Sequence, residues 1–228
     1  MQRCSANRCW RGRLHNALWR TLWLAPAGLV ARAARRRYLR WGATPLEVEM
    51  GLPGDDLMPA VDLTATRAIT IRAPSSDVWP WLAQLGQGRG GFYSYDVLEN
   101  LVGLDIHSAH SIVPEWQSVQ VGDPVNFSSQ AGLTVAVVQA GHALVLRGGA
   151  PMGSSPSPYD FTWAFVLHDA ADGTTRLVVR ERYSYARPWA RFMVEPVEVV
   201  SFVMSQRMLR GIKARAERSA RPVLVAAG

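Results

Sequence analysis

The chain has little cysteine and almost no lysine, and its first 40 residues contain no acidic side chain. Its two cysteines, Cys4 and Cys9, lie in the arginine-rich N-terminal segment and are too few for a zinc site. The core is therefore expected to form without a disulfide, and cysteine-based nucleophilic catalysis in the domain is excluded. Since no nucleophile elbow is present either, no serine triad can be assembled from the motifs.

Positive charge is unevenly distributed along the sequence. The net charge is +7, and residues 1–40 contain ten arginines. The remaining 15 basic and 18 acidic residues give residues 41–228 a net charge of −3. Because phosphate neutralisation needs clustered Lys and Arg, we predict that this part of the chain has no general nucleic-acid-binding surface.

The basic segment 1–41 contains an amphipathic pattern. Over residues 14–25, leucines and tryptophans share one helical side, and Arg13 and Arg20 lie opposite. This pattern predicts a helix lying in the headgroup region of an anionic membrane. Arg20 and Pro26 argue against a spanning helix. A signal segment, a helix packed on its own domain and a start codon further downstream remain alternatives.

The length and 48% hydrophobic content favour one domain. The Gly- and Pro-containing stretch within residues 42–65 is predicted as an extended linker. The domain proper is expected at residues 66–219, followed by a tail at residues 220–228.

The periodicity of this domain predicts an α+β architecture. A strand with Ile69 and Ile71 on its buried face is followed by two short helices, and then by short β-type runs separated by tight turns, which indicate an antiparallel meander. A long amphipathic helix over about residues 191–218 closes the domain, with Pro196 either kinking it or marking its start. We expect a curved antiparallel sheet wrapped around this helix, with a cavity between them.

The residues also carry a resemblance to a known superfamily. The stretch TRAITIRAPSSDVWPWLAQLGQGRGGFYSYDVLENLVGLDIHSA, then VPEWQ, VGD, RERY and MLRGIKARAE, resembles the SRPBCC superfamily of START-like and polyketide-cyclase-like helix-grip proteins, in a bacterial branch. The resemblance covers about residues 42–219. It implies the helix-grip fold, whereas activity varies widely within such a superfamily.

The string GQGRGG at residues 86–91 matches a dinucleotide-binding pattern only formally. A helix, not a strand, precedes these glycines, so the context predicts a sharp loop between two helices. Arg89 in that loop is a candidate to cover a pocket mouth and to pair with an anionic ligand group.

Two polar clusters suggest chemistry less directly. Asp96 and Glu99 share a helix face, which allows an acid–base pair but is also typical of a solvated surface. His107 and His110, with Glu115 nearby, form an incomplete metal set, and we predict no metal site.

Ten residues are predicted to contact a ligand. The tyrosines flanking the N-cap of the second short helix each offer a ring and a hydroxyl. Alternation places two aromatic residues on one strand face, and a helix stripe supplies adaptable apolar groups. The candidates are Arg89, Tyr93, Tyr95, Trp163, Phe165, Glu181, Tyr183, Val200, Met204 and Met208.

Glu181 is the most informative of these candidates. In RLVVRERYSY, alternation places Glu181 and Tyr183 on the same face as Leu177 and Val179, and the arginines on the other. A buried carboxylate must find a partner or have its pKa raised. The alternatives are a register-reversing bulge, a structural pair with a buried arginine such as Arg89, and contact with a polar ligand group.

These observations predict a protein that binds a hydrophobic or amphipathic small molecule, of lipid or polyketide type, between sheet and helix, without a cofactor. One alternative is a cyclase- or dehydratase-type enzyme using polar groups in the same cavity, and another is an interaction module with a closed cavity. We expect a location in the cytoplasm or at the inner face of the membrane. Catalytic residues and oligomeric state are not determined by the sequence.

Overall fold

The computed structural model describes residues 28–101, 103–128, 131–148 and 157–220. The chain divides into two units, Met1–Tyr38 and Leu39–Gly228. A helix, α1, covers residues 28–39. The predicted membrane-surface helix at residues 14–25 lies outside the described residues. Within the described ranges, no helix combines the length and apolar character needed to cross a membrane.

The second unit is built on one six-stranded antiparallel sheet. Its strand order is β1-β6-β5-β4-β3-β2, so the chain crosses once and then follows a meander. Register shifts within the β2–β3 and β3–β4 pairs mark irregularities of the kind that bend a sheet. The strands are β1 Leu63–Ile71, β2 Pro124–Ser128, β3 Ala131–Gln139, β4 Ala143–Gly148, β5 Tyr159–Asp169 and β6 Thr175–Tyr185.

Helices cover the concave face of this sheet. Two short helices, α3 (Ser75–Ala83) and α4 (Asp96–Leu101), follow β1, and the long α5 (Ala190–Ser219) packs against β1 and α3. The main core lies between them, with Phe165, Leu177 and Ile212 fully buried. The predicted α+β helix-grip fold is confirmed. Helix α5 begins before Pro196, which lies inside it and does not mark its start.

The segment predicted as an extended linker is partly regular, which corrects the sequence interpretation. It contains helix α2 (Pro45–Glu49), a 3-10 turn (Asp55–Leu57) and the start of β1. Thr44 and Glu47 form a reciprocal capping box, which satisfies backbone donors at the start of α2. Local capping thus overrides the turn-forming composition nearby.

The arginines of β6 attach this segment to the convex face of the sheet. Arg180 donates to the carbonyls of Glu47 and Met50 at 2.7 and 2.9 Å and to the Asp55 carboxylate at 2.6 Å. Arg176 binds Glu47 through two nitrogens at 2.7 and 2.9 Å, and this pairing lowers the pKa of Glu47 to about 2. The predicted outward face of β6 is therefore confirmed, but Arg180 is buried there, not solvated.

The glycine-rich string forms the predicted loop between elements. Gly86 and Gly91 pair with each other in a short bridge, and both have positive φ angles, of 121° and 69°. An L side chain disfavours such angles, which explains glycine at both positions. Arg89 stabilises this loop by donating to the Ala83 and Trp116 carbonyls at 3.0 and 2.6 Å.

Candidate functional site: two adjoining cavities and a buried charge network

The main cavity lies between the sheet, where β2, β3, β5 and β6 line it, and the N-terminal half of α5. Its volume is about 240 Å³. Aromatic and aliphatic side chains form most of its wall, and Glu181, Tyr183 and Ser201 supply the polar groups. The lining residues are Phe127, Ala131, Gly132, Leu133, Tyr159, Phe161, Trp163, Glu181, Tyr183, Met193, Val194, Val197 and Ser201.

A smaller side cavity adjoins it. This cavity has a volume of about 160 Å³ and shares Phe127, Trp163 and Ser201 with the main cavity. The lining residues of the side cavity are Phe92, Ser94, Glu99, Leu104, Ile106, Phe127, Trp163, Ser201, Met204, Ser205 and Met208.

A buried charge network lies behind the main cavity. Arg67 on β1 donates to Glu181 on β6 at 2.7 Å and also pairs with Glu198 on α5. All three side chains are at most 2% exposed. The guanidinium also lies 5.7 Å from the ring centroid of Phe202. One cation thus joins two carboxyl groups from different elements, so the network connects the edge of the sheet to α5.

The network contains more acidic groups than its single cation can neutralise. Burial and the charge of Glu181 raise the pKa of Glu198 to about 8, although Arg67 opposes the shift. Burial, with the nearby carboxylates, raises the pKa of Tyr183 well above its usual value. At neutral pH, Glu198 is therefore largely protonated.

Glu181 points inward, as predicted, and is 1% exposed. Its Oε1 accepts from Arg67 and from Ser205 at 3.0 Å, and its Oε2 accepts from Ser201 at 2.9 Å and Tyr183 at 3.3 Å. A carboxylate offers about four lone-pair sites. Four donors of the protein occupy these sites, so Glu181 links β1, β6 and α5 through its hydrogen bonds.

Five of the ten residues that were predicted to contact a ligand line one or both cavities. Glu181 and Tyr183 line the main cavity, Met204 and Met208 line the side cavity, and Trp163 lines both. Their contact with a ligand remains a prediction.

The other five lie outside both linings. Phe165 is fully buried in the core, and Tyr93 is buried with its hydroxyl donating to the Trp81 carbonyl at 3.1 Å. Tyr95 is 39% exposed, with the Arg207 guanidinium 5.8 Å from its ring centroid. The remaining two are Arg89, which stabilises its own loop, and Val200.

Val200 corrects the predicted face of α5, because it is 62% exposed. The buried stripe of the helix runs instead through Val194, Glu198, Ser205 and Met208. Two of these four residues are polar and satisfy the charge network. Met204 and Met208 of the predicted stripe do line the side cavity, so the prediction is wrong for Val200 and not for the whole helix face.

The sequence analysis did not identify Arg67 or Glu198 as site residues, and it placed Glu99 on the wrong kind of surface. Arg67 lies two and four residues before Ile69 and Ile71, so the alternation that buries those residues also points Arg67 inward. No comparable signal marked Glu198. Glu99 was expected on a solvated face with Asp96, but it is only 6% exposed and lines the side cavity.

The histidine cluster does not assemble a metal site. His107 pairs with Asp105 at 3.1 Å, and both side chains are about four-fifths exposed. Within the ranges that the structure describes, no group of three or more His, Cys, Asp or Glu side chains could hold a metal ion.

No protein-family model matches the chain, and no curated protein matches it. Solved structures resemble it at low sequence identity. The protein jhp0584 of Helicobacter pylori is 12% identical over 75% of this chain and 96% of its own length, with a TM-score of 0.45. The di-domain ARO/CYC protein StfQ of the steffimycin biosynthetic pathway is 12% identical over 73% of this chain and 54% of its own, with a TM-score of 0.40.

A third neighbour, DynU16 of the dynemicin biosynthetic locus, is 16% identical over 65% of this chain and 46% of its own, with a TM-score of 0.35. Proteins of the steffimycin biosynthetic pathway and the dynemicin biosynthetic locus are thus among the structural neighbours. Since all three TM-scores lie below 0.5, no functional argument rests on these likenesses.

Proposed function

We propose that the protein binds a hydrophobic small molecule whose apolar body occupies the main cavity and whose polar end enters the side cavity. The observation that carries this proposal is the shared wall of the two cavities, formed by Phe127, Trp163 and Ser201. An apolar pocket with a few fixed polar groups is typical of small-molecule binding. The resemblance to helix-grip proteins agrees with this assignment.

The unpartnered indole N–H of Trp163 supports the same proposal. Its Nε1 atom is buried and has no hydrogen-bond partner in the described part of the chain. A buried donor without a partner is costly, and a ligand oxygen would satisfy it. The bound molecule is therefore expected to carry a hydrogen-bond acceptor between its apolar body and its polar end.

Binding is better supported than catalysis in the main cavity. Its carboxylate, Glu181, is occupied by four donors, and Glu198, which has a raised pKa, is not part of the lining. An acid–base pair would need two free groups within reach of one substrate atom. The presence of the cavity also argues against a closed-cavity interaction module.

Val197→Trp should block the main cavity and weaken binding of the fluorescent apolar probe N-phenyl-1-naphthylamine by about tenfold or more, because a bulky ring would occupy the pocket volume. Val197 lines the cavity and is 57% exposed, so the substitution should be tolerated by the fold. Fluorescence titration of the full chain measures the affinity. Native mass spectrometry of the unmutated protein tests for a copurified ligand.

Val199→Trp is the matched control. Val199 is on the same helix, is 48% exposed and lines neither cavity. Its substitution should leave probe affinity unchanged. Equal affinities of both variants and the unmutated protein, or no probe binding at all, would overturn the proposed binding function.

A further inference from the structure

One carboxyl oxygen in the side cavity has no hydrogen-bond partner among the described residues. Glu99 on α4 is 6% exposed, and its Oε2 atom is buried without a hydrogen-bond partner among the described residues. No ion pair in that part of the chain includes it. Of the described residues that line the side cavity, Glu99 is also the only charged one. A buried carboxyl group is costly unless it is paired, so this compartment is suited to a cationic or hydrogen-bond-donating group.

Three aromatic residues also line the side cavity. Phe92, Phe127 and Trp163 all belong to the lining, and their ring centroids lie 5.3 to 6.1 Å apart. Aromatic rings attract organic cations, and the attraction is stronger where water is excluded. A carboxyl group and an aromatic wall on one small cavity are complementary to a compact alkylammonium group.

We infer that the side cavity is a binding site for an organic cation, with the ligand's alkylammonium group held between Glu99 and the aromatic wall of Phe92, Phe127 and Trp163. This inference deepens the proposed function and rests on it for the apolar part of the ligand. It assigns the ligand class as a hydrophobic amine.

The charged groups around the side cavity leave Glu99 available. Asp96, one turn earlier on α4, accepts from the backbone N and the hydroxyl of Ser108 at 2.8 and 2.6 Å. On α5, the guanidinium groups of Arg207 and Arg215 lie over tyrosine rings, at 5.8 and 4.6 Å from the centroids. Neither arginine forms an ion pair with Glu99 within the described ranges.

In the segment that follows α4, Asp105, His107 and His110 are exposed to solvent. Burial, with the charge of Asp96, raises the pKa of Glu99 to about 7. The carboxyl group is thus largely neutral at pH 6 and largely ionised at pH 8. Cation binding should therefore strengthen as pH rises through this range.

The test compares n-butylammonium with butan-1-ol, which has nearly the same size but no charge. The ammonium group stays protonated well above pH 8, like a lysine side chain. Binding is followed by NMR of ε-methyl-labelled methionine in the full chain, through the signals of Met204 and Met208, which line the side cavity. We expect the preference for the ammonium probe to increase by about tenfold from pH 6 to pH 8, following the ionised fraction of Glu99.

Glu99→Gln should abolish both the preference and its pH dependence while leaving N-phenyl-1-naphthylamine binding intact. Glu115→Gln, which removes an exposed carboxylate outside both linings, is the matched control and should behave like the unmutated protein. The inference is overturned if the ammonium preference is absent or if it survives Glu99→Gln. It is also overturned if n-butylammonium shifts the signals of other methionines and not those of Met204 and Met208. Where the naphthylamine still binds, such a result overturns the cation site alone and leaves the proposed function standing.

Discussion

Replacing Arg67 by methionine should lower the free energy of unfolding by about 3–5 kcal/mol near pH 7.5, the loss expected when one partner of a buried ion pair is removed. The physical reason is that the buried side chains of Glu181 and Glu198 would lose the cation that joins them in the described part of the chain. Urea denaturation followed by tryptophan fluorescence measures the change, since the chain has nine tryptophans.

Arg72→Met is the matched control for this substitution. Arg72 follows the end of the same strand and is exposed, so its replacement should change the free energy of unfolding by less than about 0.5 kcal/mol. The triple variant Arg67→Met, Glu181→Gln, Glu198→Gln should recover most of the lost stability, because no buried charge is then left unpaired. If Arg67→Met costs no more than Arg72→Met, the network does not stabilise the fold.

The second large effect concerns the dependence of stability on pH. Glu198 has a pKa of about 8 in the folded protein, above the usual glutamate value of about 4.5. Between these values the folded state binds one proton more than the unfolded state at this group. The free energy of unfolding should therefore fall by about 1.4 kcal/mol per pH unit as pH rises through this window.

The contribution of Glu198 to the free energy of unfolding is fully present below the pKa that this group has in the unfolded chain. It is lost as the pH rises through the pKa that Glu198 has in the folded protein. Glu99, with its pKa raised to about 7, adds a contribution of the same sign over a narrower range. Glu198→Gln should flatten the profile from about pH 5 to about pH 8, measured by urea denaturation at several pH values. A profile as steep as that of the unmutated protein would show that another group carries the proton.

Local patterns were sufficient to predict the architecture. Period-2 alternation placed Leu177, Val179 and Glu181 on one face of β6, and the structure confirms that face. Alternation is reliable here because successive side chains of a strand must point to opposite sides of the sheet. The loop at residues 86–91 was predictable for a related reason, since only glycine adopts its backbone angles readily.

Pairing across the fold was not predictable from such patterns. The sequence indicated that Glu181 needs a partner but suggested Arg89, whereas the structure places Arg67 beside it. Arg67 and Glu181 are 114 residues apart, and their contact depends on the pairing of β1 with β6. Pattern analysis within one window contains no information on which distant strands become neighbours.

The sequence by itself determined the curved-sheet and closing-helix architecture and the inward direction of Glu181, because these follow from backbone periodicity and burial of apolar faces. Only the tertiary structure decided the rotation of α5, the burial of Glu99 and the partition of the interior into two cavities. The burial of Glu198 on α5, for example, depends on Arg67, a partner that is distant in the chain. A polar residue that is buried because it has a partner has the same local signature as one that is solvated.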